Sequence, residues 1–96
     1  MKVLVCGSYY GQTYLRALVT SGFPFQIAGI LANGSERSHR VALKYKTRLF
    51  NKVSEIPHDV VMSCVAIGGE AGTEITLELF RKLKGAYLSY FQSVIF

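Results

Sequence analysis

Gly7-Ser8-Tyr9-Tyr10-Gly11-Gln12 follows the apolar run Val3-Leu4-Val5-Cys6 and leads into residues with helical periodicity. The chemistry on offer there is anion binding. Glycines let the backbone turn tightly, and the first turn of a helix presents unpaired N–H groups and the positive end of its dipole. In the dinucleotide-binding form of this turn, G-x-G-x-x-G, the anion is a pyrophosphate. Gly11 takes the third glycine position, while the first two fall on Cys6 and Ser8 with Gly7 between them, so the fingerprint is degenerate. On this turn alone, a nucleotide site and an ordinary strand-to-helix junction both stand.

A second group of candidates reads Leu31-Ala32-Asn33-Gly34-Ser35-Glu36-Arg37-Ser38. Domains that bind NAD usually end their second strand with an acidic residue that hydrogen-bonds the ribose 2′-hydroxyl. No carboxylate ends the strand here. Instead Gly34, Ser35, Arg37 and Ser38 gather at a helix start. That composition suits a 2′-phosphate, through charge-assisted hydrogen bonds and the helix dipole. Glu36 would repel the phosphate unless it points away, and successive helix residues differ in direction by about 100°. A capped helix carrying a surface arginine is the plainer reading. A third small-residue turn, Gly68-Gly69-Glu70-Ala71-Gly72, follows the apolar run that ends at Ile67.

The elements that must position these turns alternate. Val3 to Cys6 reads as a strand buried on both faces, and Tyr14, Leu15, Leu18 and Val19 place a helix over about Gln12 to Ser21, with Gly22 and Pro24 as stop signals. Phe25 to Ala32 is a second strand, and Ser35 caps a helix running to about Tyr45. Leu49-Phe50 suits a short third strand, Ser54 to Ile56 a helical turn ended by Pro57, and Val60 to Ile67 a fourth strand. Thr73 is placed to cap the next helix, with Ile75, Leu79 and Leu83 on one stripe and Gly85 at its end. Strands alternating with helices predict an α/β domain with a parallel sheet and right-handed crossovers. In such sheets ligands bind beyond the carboxyl ends of the strands, so all three turns belong to one edge.

Length and composition bound the possibilities. The 96 residues make one domain, half apolar and 18% charged, which argues against disorder. The net charge of +5 suits a polyanion or a phosphorylated cofactor. Arg37, His39, Arg40, Lys44, Lys46 and Arg48 fall in one twelve-residue window, which reads either as an anion-binding surface or as a solvated helix face. Arg81, Lys82 and Lys84 suit the last turn of a helix. Nucleic-acid binding is disfavoured, because the aromatics are not interleaved with the basic cluster. Cys6 and Cys64 lie in apolar runs without metal-ligand or C-x-x-C spacing and read as buried thiols, which with the lack of a signal-peptide core or membrane span predicts a cytoplasmic protein.

Taken together, these residues resemble the N-terminal part of the thiazolinyl imide reductases, within the broader Gfo/Idh/MocA oxidoreductase superfamily. The resemblance rests on Val3-Leu4-Val5-Cys6-Gly7 with Gly11 and Tyr14-Leu15, on Leu31-Ala32 with Gly34-Ser35-Glu36-Arg37-Ser38, and on Gly68-Gly69 with Gly72. It implies a Rossmann-type domain over residues 1–85 that binds NADPH, in enzymes that reduce a thiazoline imine on a carrier-bound siderophore intermediate. By resemblance Gly7, Ser8, Tyr9, Tyr10, Gly11 and Gln12 lie near the pyrophosphate. Asn33, Gly34, Ser35, Arg37 and Ser38 lie near the 2′-phosphate, and Ile67, Gly68 and Gly69 near the nicotinamide-side ribose. The stretch Val65 to Gly69 is shorter than the family's, and residues 86–96 depart from it into an apolar tail. The substrate-holding C-terminal domain is not among these residues, which is the pattern of an early stop or frameshift in a longer gene.

No metal site and no catalytic residue is expected. Hydride transfer needs a substrate held against the nicotinamide and a proton donor beside it. His58 belongs to the opposite sheet edge and His39 to the basic helix, whereas Tyr9 and Tyr10 either cover the cofactor or pack. The expectation is therefore an NADP-binding portion of a reductase, inactive alone, with a non-catalytic nucleotide-binding or protein-interaction module as the alternative. The tail has seven apolar or aromatic residues in its last ten, which complete the sheet, dock on a partner or drive self-association.

Overall fold

The structure, a computed structural model, describes residues 2–22 and 24–83 and the backbone of Tyr87–Tyr90. Five parallel strands form one sheet: β1 (Lys2–Cys6), β2 (Gln26–Leu31), β3 (Leu49–Phe50), β4 (Met62–Val65) and β5 (Tyr87–Tyr90), in the order β3-β2-β1-β4-β5. Three helices make the crossovers, α1 (Gly11–Thr20), α2 (Glu36–Lys44) and α3 (Gly69–Leu83), with a 3₁₀ turn at Val53–Glu55. The strand order reverses between β1 and β4, which opens a crevice beyond the carboxyl ends of those two strands.

Strand β1 is apolar at successive positions because both of its faces are covered. Val3 and Val5 pack with Leu15, Val41 and Cys64 on the side of α1 and α2, while Leu4 and Cys6 pack with Val65, Leu79 and Leu83 on the side of α3. Val3 through Cys6 have no exposed surface. Cys6 and Cys64 are buried free thiols that belong to different faces of the sheet. Burial, and secondarily the neighbouring Cys64, pushes the Cys6 thiol up to about 12.

Several boundaries differ from the sequence reading. Helix α3 begins at Gly69, so the small residues through Gly72 are helical, and Thr73 donates its hydroxyl to the Gly69 carbonyl at 3.3 Å inside the helix instead of capping it. Strand β4 is shorter than expected, because Val60 and Val61 precede its paired ladder and Ala66 to Gly68 leave it for the crevice. The single turn before Pro57 is 3₁₀, at Val53–Glu55. Ser35 caps α2 as expected, accepting the Ser38 N–H. Tyr87–Tyr90 pairs with β4, which is the sheet-completing alternative for the start of the tail. Gly85 and residues 91–96 lie outside the described residues.

Candidate functional site

A cavity of about 910 Å³ lies at the switch point, near the upper end of the range of about 300–1,000 Å³ for ligand sites. Every strand terminus beside it contributes: Gly7 to Tyr10 after β1, Leu31 to Asn33 with Arg37 after β2, Asn51 to Ser54 after β3, and Ala66 to Gly68 after β4. Ala71, Ile75 and Glu78 of α3 complete the wall.

The centre is Gly7. Its φ is +106°, and a Cβ there would sit 2.9 Å from the Ala66 carbonyl oxygen and 3.3 Å from Ile67 Cγ1. Its N–H donates to the Leu31 carbonyl at 2.8 Å, so the glycine ties the ends of β1 and β2 while leaving clearance beside β4. A residue with a side chain would be strained in this conformation and would meet a backbone atom that cannot move aside. Gly11 does the packing job expected at the third glycine position, since a Cβ would lie 3.0 Å from Val5 Cγ1. Helix α1 has no side-chain cap at Tyr10, so no side chain of that residue covers the first-turn N–H groups.

Beside this turn, Ser8 is buried and receives two neighbours from α2. Arg37 Nε donates to Ser8 Oγ at 3.4 Å, and Ser38 Oγ lies 3.1 Å from the same oxygen. Ser38 Oγ is also 3.0 Å from Ser35 Oγ and 3.3 Å from Asn33 Oδ1. Asn33 Oδ1 accepts the Ser35 N–H at 3.2 Å, which shapes the loop into the helix. The Arg37 guanidinium lies over the Tyr9 ring, 5.1 Å from its centroid, and Tyr9 meets Tyr10 edge to face. Glu36 turns away: its carboxylate is 3.6 Å from Arg40 on the exposed side of α2.

Of the residues expected at a cofactor, Gly7, Ser8, Tyr9, Tyr10, Asn33, Arg37, Ile67 and Gly68 line the cavity. Gly11, Gln12, Gly34, Ser35, Ser38 and Gly69 are not among its lining residues; Gln12 donates its side-chain amide to the Ser8 carbonyl at 2.8 Å and so braces the turn from within. The basic window separates by helix geometry. Arg37 reaches the cavity, Lys44 and Arg48 lie over the rings of Tyr45 and Phe50, and His39 is exposed. His58 sits beside Asp59, which pairs at 2.6 Å with Lys2 at the start of β1, on the sheet edge away from the cavity.

Two parts of the wall were not found from sequence. The loop Asn51 to Ser54 is shaped by Glu55, whose carboxylate accepts the N–H groups of Asn51 at 2.8 Å and Lys52 at 3.1 Å. These two backbone donors hold the Glu55 carboxyl below its usual range. Lys82 of α3 crosses to the same loop and donates to the carbonyls of Val53 and Ser54, both at 2.9 Å. The rule that ligands sit beyond the carboxyl ends of strands applies equally to β3 and would have pointed to this loop. Nothing in the spacing of α3 alone marked Glu78. Among the described residues, no group of three or more histidine, cysteine or acidic residues could hold a metal, and no helix is long and apolar enough to cross a membrane.

The parallel order, the switch-point cavity and the glycine at the end of β1 define a Rossmann-type dinucleotide-binding domain. Residues 1–88 match the oxidoreductase family with the NAD-binding Rossmann fold, Gfo/Idh/MocA, and the chain belongs to that family. No curated protein matches it. Among solved structures, it is similar to a protein of Bacteroides fragilis described as an NADP oxidoreductase, with TM-score 0.78, 15% identity and coverage of 93% of this chain and 34% of the other. An imine reductase of Myxococcus stipitatus in complex with NADP+ gives TM-score 0.72 and 20% identity over 97% of this chain and 32% of its own. A variant of that reductase in complex with NAD+ gives TM-score 0.66 and 19% identity, covering 97% of this chain and 30% of its own. The chain thus spans about a third of the length of these structures.

Proposed function

We propose that this domain binds NADPH, as the cofactor-holding part of an oxidoreductase like the thiazolinyl imide reductases, which reduce a carrier-bound thiazoline imine. The observation that carries the cofactor choice is the cluster beyond β2. Arg37, Ser38, Ser35 and Asn33 gather there, no carboxylate ends the strand, and Glu36 is turned to Arg40. A 2′-hydroxyl wants an acceptor, whereas a 2′-phosphate wants donors and positive charge, and this cluster supplies the latter. In this reading Gly7 to Tyr10 and the first turn of α1 face the pyrophosphate, and Ile67 and Gly68 face the nicotinamide-side ribose. Gly11 and Gln12 support the first turn from behind, and Gly69 opens α3 beside Gly68. When bound, the cofactor supplies a hydride, and the chain's own residues position it.

The test is calorimetric titration of the chain with NADPH and NADH, for wild type and Arg37→Ala. Losing a charge-assisted hydrogen bond, about 1.5–3 kcal/mol, predicts NADPH binding about 10- to 150-fold weaker in Arg37→Ala, with NADH changed less than about threefold. Equal weakening of both dinucleotides would refute the assignment. A module that binds the nucleotide without catalysis is the second reading, favoured by the fact that neither His39 nor His58 lines the cavity. Both readings predict no NADPH oxidation when the 96-residue chain is mixed with a thiazoline substrate. Oxidation above the substrate-free rate would overturn that expectation.

A further inference from the structure

Arg37 belongs to α2, yet the contacts that direct its side chain come from the turn after β1. Ser8 Oγ accepts from Arg37 Nε at 3.4 Å, and the Tyr9 ring lies under the guanidinium with its centroid 5.1 Å from Cζ. The neighbouring carboxylate, Glu36, lies 3.6 Å from Arg40 instead. Ser8 is buried, and Ser38 Oγ lies 3.1 Å from the same oxygen, so the acceptor is itself held in place. A guanidinium has one N–H at Nε and four on its two terminal nitrogens. Among the described residues, the hydrogen bond to Ser8 engages the first, and no hydrogen bond or ion pair engages the other four. The stem of the arginine is tied while the fork that matches a phosphate stays available.

Ser8 stands where the dinucleotide fingerprint carries its middle glycine. A glycine there leaves room for the pyrophosphate but offers Arg37 no oxygen. A long cationic side chain loses rotamer freedom when it grips a ligand, and one already held in its gripping geometry loses less. Resting on the NADPH reading above, we infer that Ser8 and Tyr9 are positioning residues for Arg37, and that through them the turn after β1 sets the preference for a dinucleotide bearing a 2′-phosphate. Neither has to touch that phosphate. The serine at the glycine position then adds discrimination where the fingerprint alone would supply only room.

The readout is the ratio of the NADH to the NADPH dissociation constant, measured by calorimetry on the full chain. Whatever Ser8 contributes to the pyrophosphate shared by both dinucleotides cancels in this ratio. Among the described residues other than glycine, only Lys46 has a positive φ, so alanine fits the Ser8 backbone without strain. Ser8→Ala and Ser8→Gly are each expected to lower the ratio at least about threefold, although Ser8→Gly brings the turn closer to the fingerprint. Ser8→Thr keeps the hydroxyl and should stay within about twofold of wild type. Tyr9 is exposed, so its variants keep the fold even where a Ser8 variant does not; Tyr9→Leu should lower the ratio about two- to fivefold, while Tyr9→Phe, which keeps the ring face, should not. In an Arg37→Ala background the same changes should leave the ratio where Arg37→Ala alone puts it, which a merely structural role would not produce. An undiminished ratio in Ser8→Ala or Tyr9→Leu, a fall in Ser8→Thr as large as in Ser8→Ala, or an equal fall with and without Arg37 would overturn the inference while leaving the NADPH assignment in place. A ratio unchanged by Arg37→Ala itself would remove both.

Discussion

Gly7→Ala isolates what the central turn contributes, because a second glycine provides its control. Gly7 and Gly22 both have positive φ, +106° and +81°, but a Cβ on Gly7 meets the Ala66 carbonyl oxygen at 2.9 Å whereas one on Gly22 meets nothing within 4 Å. Both alanine variants therefore carry the strain of a sparsely populated backbone region, about 1–3 kcal/mol. Only Gly7→Ala adds steric conflict with a packed backbone, a further 1–3 kcal/mol or about 2–6 kcal/mol in all. A domain of this length has roughly 5–14 kcal/mol in hand, so the loss at Gly7 is a large share of it. The assay is urea unfolding followed by circular dichroism. With a slope of about 1–3 kcal/mol per molar urea, the midpoint for Gly7→Ala should lie at least about 0.3 M below that for Gly22→Ala. Equal midpoints would mean that Ala66 yields to the new methyl group and that the clearance beside β4 is not a built feature of the site.

Other expectations follow from single groups. Ser63 is fully buried, and its hydroxyl has no hydrogen-bond partner among the described residues, so Ser63→Ala should stabilise by roughly 1 kcal/mol and raise Tm by about 4–8 °C; a lower Tm would show that the hydroxyl is satisfied. Glu55 has its carboxyl held low by the Asn51 and Lys52 N–H groups, so its contribution is present above the unfolded carboxylate pKa and is lost as pH falls through the depressed folded value. The stability gap between wild type and Glu55→Gln should then be constant from pH 6 to 8 and close under strongly acidic conditions, and a gap that persists there would sink the idea. For Cys6, raised to about 12 chiefly by burial, the contribution is complete below the unfolded thiol pKa and is lost as pH rises above it. Iodoacetamide at pH 8 should leave the native thiol intact while labelling it in urea, and rapid native labelling would contradict its burial.

The fold was legible where periodicity and covering agree. Val3 to Cys6 reads as a doubly buried strand because every residue in it is apolar, and the sheet covers both of its faces. Ser35 was legible as a cap because its hydroxyl has a local target, the Ser38 N–H. The start of α3 was misplaced because glycine signals a turn by its own flexibility, and a first helical turn beside a crevice tolerates small residues equally well. Arg37 was legible as a cavity residue because it stands two positions after the cap at a strand end. Lys82 and Glu78 were not, because their places beside the loop and the cavity depend on α3 lying against the loop after β3, and Lys82 is separated from Val53 by 29 positions. Local charge spacing explained Lys82 as a favourable last-turn cation, and that account contains nothing about which chain segment lies within its reach.

The cluster beyond β2 and the turn beyond β1 are one physical unit rather than two adjacent subsites. Ser8 belongs to the turn, yet its buried oxygen accepts from Arg37 and lies within reach of Ser38, both on α2. Ser38 has one hydroxyl proton and three oxygen neighbours within 3.3 Å, so only one can accept from it at a time; the Ser8 and Ser35 hydroxyls can donate to it in return, whereas Asn33 Oδ1 only accepts. Such a network has more than one internal arrangement of similar geometry. Moving Ser8 changes the support of Arg37 directly, and it redirects the Ser38 proton towards Ser35 or Asn33, which set the entry into α2. Groups that share partners in this way are non-additive when removed in pairs. On the proposed reading, cofactor discrimination then depends on the Ser8 side chain as much as on the arginine, because that side chain is the acceptor that aims it.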